Sequence, residues 1–458
     1  MMSLEEENRR LRAEVAELRQ RVKDLEEALG QLEGEMEDAR EAIERGKKGR
    51  PSWVKPNKPR REGSKKPRRK REGAANKARR REEPTRVVEH VLERCPGCNY
   101  PLSRRKVAHV HQVVDIPPPT AVEVTEHRAI GGWCPRCAQW RAPRLELGEE
   151  VLGQGRLGVR VTSLIVYLRT ALRLPFRQIQ GYLKTQYQLH VGLGELVELL
   201  HRVRRAGQEQ VDAIREAAQA SPVMHVDETG WREDGQNGYV WTVSVPGEQG
   251  IRYFLYERSR GQLVVKGLTG GRFKGVLCSD FLGSYNTYGG PHQRCWAHLL
   301  RALHELKEEH PEDQEVHAWA GAVRGLYDTG QAMAQSTSPP SERERLACYE
   351  GLVRGAVELG QRYALSKRHP CQALAKRLLR HQDELFQFVL YEQVSADNNL
   401  AERSLRPLVT ARKISGGTRS PAGTATRMAL ASLVGTWIAR GLNPFTECLT
   451  LLRQTSLL

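Results

Sequence analysis

Along the N-terminal segment apolar positions recur with a period of seven: Leu4, Leu11, Leu18, Leu25 and Leu32 form one set, and Asn8, Val15, Val22, Leu29, Met36 and Ile43 a second. The pattern predicts a leucine-zipper coiled coil over 1–45. Valine at a with leucine at d favours two strands, and the polar Asn8 fixes register. In a parallel pair, Glu7 meets Arg12, Glu14 meets Arg19 and Arg21 meets Glu26, all of opposite charge. Over 46–84 the pattern vanishes into runs such as "KKPRRKREG" and "KARRREEP". So little apolar surface predicts a disordered linker, and so many cations predict one that neutralises phosphates.

Over 85–145, "VAHVHQVVDIP" and "AVEVTEHRAI" alternate apolar and polar residues and predict the strands of a small β module. Over 146–220 the period becomes helical, in "VTSLIVYLRTALRL", "PFRQIQGYLKTQ" and "ELVELLHRVRRAG". The last two, joined by a tight turn, resemble a helix-turn-helix, with Arg202, Arg204 and Arg205 on the second helix as DNA contacts. "PVMHVDETGW", "GYVWTVSVP" and "IRYFLYERS" then predict an antiparallel meander, and "GVLCSDFLGSY" a further strand after a short helix. Residues 299–391 are helical and charged. In "SADNNLAERSLRP", Ser395 is the expected N-cap, with Glu402 about two turns into a helix that Pro407 interrupts.

Composition narrows the partners. A net charge of +17 over 458 residues favours a polyanion. No apolar run approaches a membrane span, so no membrane partner is expected and a cytoplasmic, nucleoid-associated location is. Nine cysteines, an odd number, suit a metal site in a reducing compartment better than a disulfide framework. Cys95-Pro-Gly-Cys98 and Cys134-Pro-Arg-Cys137 are two C-x-x-C knuckles, which together predict one Zn²⁺ per chain in a tetrahedral four-thiolate site.

The meander's first strand is expected to end in acids, at Asp227 and Glu228, and the fourth at Asp280. If these strands are neighbours, Asp227 and Asp280 stand side by side, a costly arrangement unless a divalent cation neutralises it. Strand alternation sends Glu228 to the other face. Asp397 is accounted for as an acid in a first helical turn. Glu402 offers a third carboxylate, beside Arg403 and Arg406, with Arg412 and Lys413 extending the basic run as further DNA contacts. Cys295 and His298 of "CWAH" are assigned structural roles, and Trp231, Trp241 and Trp296 core positions.

In chain order "HVDET", "CSDFLGSYNTY", "CWAHLLRALHEL" and "NNLAERSLRPLVTARK" resemble blocks of the insertion-sequence-66-type bacterial DNA transposases, of the Asp-Asp-Glu, ribonuclease-H-like kind. The zipper, the basic segment and the four cysteines match as well, so the resemblance spans nearly the whole chain. It implies a multidomain α+β protein: coiled coil, zinc-bound β module, helical DNA-binding region, and a ribonuclease-H-like α/β catalytic core over 221–298 and 392–458, split by an all-helical insertion over 299–391. It further implies that Asp227, Asp280 and Glu402 are catalytic and hold two Mg²⁺ (or Mn²⁺). The implied enzyme binds element ends, cleaves the backbone and joins the freed 3′-hydroxyl to target DNA. DNA, a second copy of the chain and small accessory proteins encoded by the same element are the implied partners. A hydrolytic nuclease on the same fold is the nearest alternative. A zinc-containing DNA-binding regulator is another, and the three intact acids argue against it.

Overall fold

The computed structural model describes residues 83–455 apart from 105, 108, 115–121 and 154. The coiled coil over 1–45 and nearly all of the basic linker lie outside the described residues. Two compact units divide the described residues, a smaller one before residue 122 and a larger one from Val122 onward.

In the smaller unit the first knuckle is a tight turn. The Asn99 amide donates to the Cys95 carbonyl (2.8 Å), and the Cys95 amide to the Tyr100 carbonyl (2.9 Å). Asn99 takes the left-handed conformation at φ 60°, which asparagine tolerates better than most residues. In the larger unit the second knuckle caps a short hairpin, β1 (Gly132–Cys134) with β2 (Gln139–Arg141), in which Trp133 faces Trp140. The strands expected from the alternating runs are absent: described residues within 107–114 and 122–131 carry no strand. Val107, Val113 and Val124 are each at least 79% exposed, and alternation makes a strand only where a partner strand or core covers one face.

The larger unit is built on one five-stranded sheet. Its strands are β3 (Val223–Glu233), β4 (Gln236–Val245), β5 (Ile251–Glu257), β6 (Val276–Ser279) and β7 (His292–Arg294), in the order β5-β4-β3-β6-β7. The first three form the expected antiparallel meander, and β6 and β7 join it in parallel. Four helices precede the sheet: α1 (Val159–Val166), which loosens into a π-helical turn (Tyr167–Ala171), α2 (Phe176–Tyr187), α3 (Leu193–Ala206) and α4 (Gln208–Gln219). The helix α5 (Gln262–Thr269) crosses from β5 to β6. After β7 come α6 (Trp296–Glu309), α7 (Gln314–Ala334), α8 (Glu342–Ala364), α9 (Gln372–Arg380) and α10 (Gln387–Leu390), and then α11 (Asn399–Ser415), α12 (Pro421–Ala439) and α13 (Pro444–Thr455).

A small apolar cluster joins Trp231, Val240 and Phe254 of the sheet to Leu405 and Leu408 of α11 and Met428 of α12, and two larger cores sort the other elements. One joins Ile165, Leu196 and Val203 of the first helices to Val226, Trp241 and Val243 of the sheet and to Leu430 and Leu433 of α12. The helical region over 146–220 therefore shares its interior with the sheet. The other core, around Trp296, Trp319, Phe386 and Phe388, belongs to the helices after β7 and touches the sheet through Val276 and Cys278. Among the described residues no helix is long and apolar enough to cross a membrane.

Helix α11 departs from expectation at both ends. It starts at Asn399 with Asn398 as N-cap, so Glu402 lies in its first turn. The Ser395 hydroxyl instead accepts the Asp397 amide in the preceding turn (3.4 Å). Pro407 sits inside the helix without ending it. Losing one backbone bond there is offset by burying Leu405, Leu408 and Ala411. The helix stops at Gly416 and Gly417, both at positive φ (71° and 112°). A Cβ at Gly417 would lie 2.1 Å from the Arg232 carbonyl oxygen, so only glycine lets this turn dock Thr418 along β3.

Candidate active site

Asp227 does not end its strand. β3 continues to Glu233, and Asp227 pairs with Thr242 of β4. What ends here is the parallel half: β3 pairs with β6 only from Val223 to His225. Beyond that, β6 stops at Ser279 and Asp280 turns away, its Oδ1 accepting the Leu282 amide (2.9 Å). The acids thus stand at a notch in the sheet where one strand runs on and its neighbour stops.

Carboxylate oxygens of Asp227, Glu228 and Asp280 lie within 4.8 Å of one another. Glu228 therefore joins the acids it was expected to face away from. Alternation opposes the two Cβ atoms, but no residue of β6 pairs with β3 beyond His225, so the longer glutamate reaches round. Glu228 is held by Arg260 (2.8 and 2.9 Å to Oε1) and by the Tyr285 hydroxyl (2.5 Å to Oε2). Burial pushes the Asp227 carboxyl up to about 8, with Glu228, Asp280 and Glu402 adding repulsion in the same direction.

Glu402 arrives from α11, and Asn398 fixes its approach. The Asn398 side chain accepts from His225 Nδ1 (3.1 Å) and donates to the Val226 carbonyl (2.8 Å), and its backbone amide donates to Cys295 Sγ (3.2 Å). The N-cap side chain is thus spent on β3 rather than on its own helix. Burial holds His225 down to about 4, so it is neutral and can keep this geometry. Sequence reasoning missed Asn398. The available signal was an asparagine directly before an apolar-periodic helix, the residue type most favoured at an N-cap.

Glu402 groups with Cys295 and His298 rather than with the three acids of the notch: its ligand atom lies within 4.8 Å of theirs, and its Oε1 is 4.0 Å from His298 Nδ1. Cys295 is buried, which raises its thiol. Trp231, Trp241 and Trp296 are all buried, as core positions require.

A family model described as "Transposase IS66 family" matches residues 154–426. The match begins in the helices before the sheet and runs through the sheet, the inserted helices and α11 into α12. The chain belongs to the IS66 transposase family. It is also 29% identical to the uncharacterised protein y4jO of Sinorhizobium fredii over 175 residues, 37% of this chain. The chain spans about half (49%) of the length of that curated relative.

The basic residues of this IS66-family chain fall into separate places. Arg403 and Arg406 are exposed on α11, close to Glu402 in sequence, and Lys413 is exposed near the helix end. Arg412 is half-buried and bonds the Gly230 carbonyl and the Thr229 hydroxyl of β3, so it anchors the helix. On α3, Arg202 and Arg205 both pair with Glu198 (3.4 and 2.9 Å). The buried side of α3, Leu196, Leu199, Leu200 and Val203, is committed to the core.

Proposed function

We propose that this transposase cuts the phosphodiester backbone at the ends of its element and joins the freed 3′-hydroxyl to target DNA, using Asp227, Asp280 and Glu402. The observation that carries the reading is the convergence of Asp227 and Asp280 from neighbouring parallel strands, with Glu402 brought towards them by the Asn398 clamp. The sheet order with its antiparallel meander and parallel extension supports a ribonuclease-H-like core.

The donor set fits a divalent cation. Carboxylate oxygens are hard ligands of the kind Mg²⁺ and Mn²⁺ take, and packing those of Asp227 and Asp280 within 4.8 Å of each other, with Glu228 beside them, is unfavourable without a counter-charge. Two such ions, held by these carboxylates, would supply activation of the attacking oxygen and charge stabilisation on the leaving one. The chain's own residues supply the frame. Asp227 and Asp280 hold the ions from the sheet, and Glu402 closes the site from α11. Arg403 and Arg406 orient phosphates beside them. Glu228 stays engaged with Arg260 and Tyr285, which keeps the notch in shape.

The remaining assignments belong to the same reading. Cys95, Cys98, Cys134 and Cys137 hold one Zn²⁺ per chain. Amides of Gly97 and Cys98 hydrogen-bond the Cys95 sulfur and lower its thiol, and amides of Cys137 and Arg136 do so for Cys134, as thiolate ligation requires. Metal analysis of protein purified without chelator should find one zinc per chain, lost when Cys95 and Cys98 are both changed to Ser. Zinc retained in that variant contradicts the assignment. The N-terminal zipper pairs two chains.

The function is tested with full-length protein and a supercoiled plasmid carrying the element's two ends. With Mg²⁺ the expected products are breaks at those ends with 3′-hydroxyls, and their joining to a second plasmid. Cleavage without end preference or joining would make the protein a nuclease instead.

A further inference from the structure

A second site adjoins Glu402. Leu400, Arg403, Ser404 and Pro407 share one face of α11 and line a cavity of about 250 Å³, closed by β5, α12 and the π-helical turn after α1. Glu402 lies one residue before Arg403, about 100° round the helix, so cavity and carboxylates occupy neighbouring faces.

The lining combines two characters. Four arginines, Arg173, Arg252, Arg403 and Arg427, border the cavity and no carboxylate does. Arg427 is only 8% exposed, yet its one protein acceptor is the Arg169 carbonyl (3.2 Å). Arg252 donates to the Val245 and Ile251 carbonyls (2.8 and 2.6 Å). Among the described residues none of the four forms a salt bridge. Burial, and after it Arg169 and Arg173, hold Arg427 down to about 9, and burial followed by Arg403 lowers Arg252. Phe254, Pro407 and Ile438 supply flat and aliphatic walls between these cations. Thr170 also lines the cavity, with its hydroxyl oxygen buried behind the wall and without a hydrogen-bond partner.

We infer that this cavity receives one unpaired nucleotide of the DNA substrate, its phosphate among the arginines and its base between Phe254 and Pro407. An inorganic anion would leave the apolar walls unused, and a duplex is too wide to enter. Enzymes that handle a single base draw it from the stack into a snug, partly apolar pocket of this kind. The inference rests on the proposed action at DNA ends and adds where a displaced nucleotide goes.

The test compares binding of full-length protein to a short labelled duplex with binding to the same duplex carrying one unpaired adenine, by fluorescence anisotropy. The expected preference for the bulged probe is roughly tenfold, the scale of stacking one base on a protein surface. Arg173→Glu and, separately, Ile438→Trp at the half-exposed rim should abolish the preference while leaving the paired duplex bound as before. Equal binding of the two probes by wild-type protein overturns the inference and leaves the transposase reading intact. Failure to bind either duplex overturns both. Inorganic phosphate that competes with the bulged probe as well as deoxyadenosine monophosphate does would reduce the cavity to an anion site and also overturn it.

Discussion

Asn398 decides where Glu402 stands. Its side chain joins β3 through His225 and the Val226 carbonyl, and its amide reaches Cys295 at the start of α6. Asn398→Ala should remove both β3 bonds and leave the buried Val226 carbonyl unsatisfied, a loss of about 2 kcal/mol in denaturant unfolding. Because Glu402 follows in the next turn, the same change should lower the cleavage rate by about a hundredfold, as displacement of a catalytic group by about 1 Å does. Unchanged cleavage would detach Glu402's position from Asn398. At this scale the sequence showed the acids but not their company. Asp227, Asp280 and Glu402 stood out by type and order. Glu228 was misassigned because strand alternation places Cβ atoms and cannot say where a neighbouring strand stops.

Between elements, β7 and the inserted helices meet the site through one buried cation. Arg294 of β7 is fully buried and donates to Glu384 (2.6 Å), to the Asn286 side chain (2.5 Å) and to the backbone carbonyl of Asp280 (2.9 Å). It thus anchors the turn that carries Asp280 to a segment just over a hundred positions later in the chain. Although burial pushes the Glu384 carboxyl up, the hydrogen bond from His381 and the Arg294 charge outweigh it and hold Glu384 down to about 2. A carboxyl depressed in the folded state gives stability present above its ordinary value of 4.5 and lost as pH falls towards 2. Glu384→Gln should therefore lower unfolding stability by about 3 kcal/mol at neutral pH and flatten the acid limb between pH 4.5 and 2. A variant with wild-type acid sensitivity would contradict the account.

Elements differed in legibility for physical reasons. The meander and β6 were plain because apolar, β-branched and aromatic residues dominate them, buried along β6 and through the first half of β3. β7, the tripeptide His-Gln-Arg, could not be found, since its residues are polar and become buried only by pairing with β6 and bonding the inserted helices. The expected strands over 107–114 and 122–131 failed in the opposite way, having alternation but nothing to cover it. In α11 the start was misplaced because Ser395 is a good cap by type, whereas the chain folds Asn398 onto β3 and begins the helix there.

For the whole molecule, a net charge of +17 and the dense cations of 46–84 make the N-terminal part the natural source of salt-sensitive DNA affinity. A chain beginning at Pro84 should be monomeric by light scattering where the full chain is dimeric. Its DNA affinity should also fall less steeply with salt, because fewer phosphates are neutralised. An unchanged mass would contradict the zipper, and an unchanged salt slope the role of the basic segment. The proposed catalytic site should survive this truncation, since the sheet, the inserted helices and α11 to α13 all lie beyond residue 220.

The central claim is that Asp227, Asp280 and Glu402 together hold the ions that cut DNA. The most direct measurement is Mg²⁺-dependent cleavage of element-end DNA by Asp227→Asn, Asp280→Asn and Glu402→Gln, with DNA binding measured on the same preparations. Each variant is expected to bind as well as wild type or slightly better, because a negative charge beside the phosphate is gone, and none to cleave. Cleavage at a near wild-type rate by any of the three would contradict it.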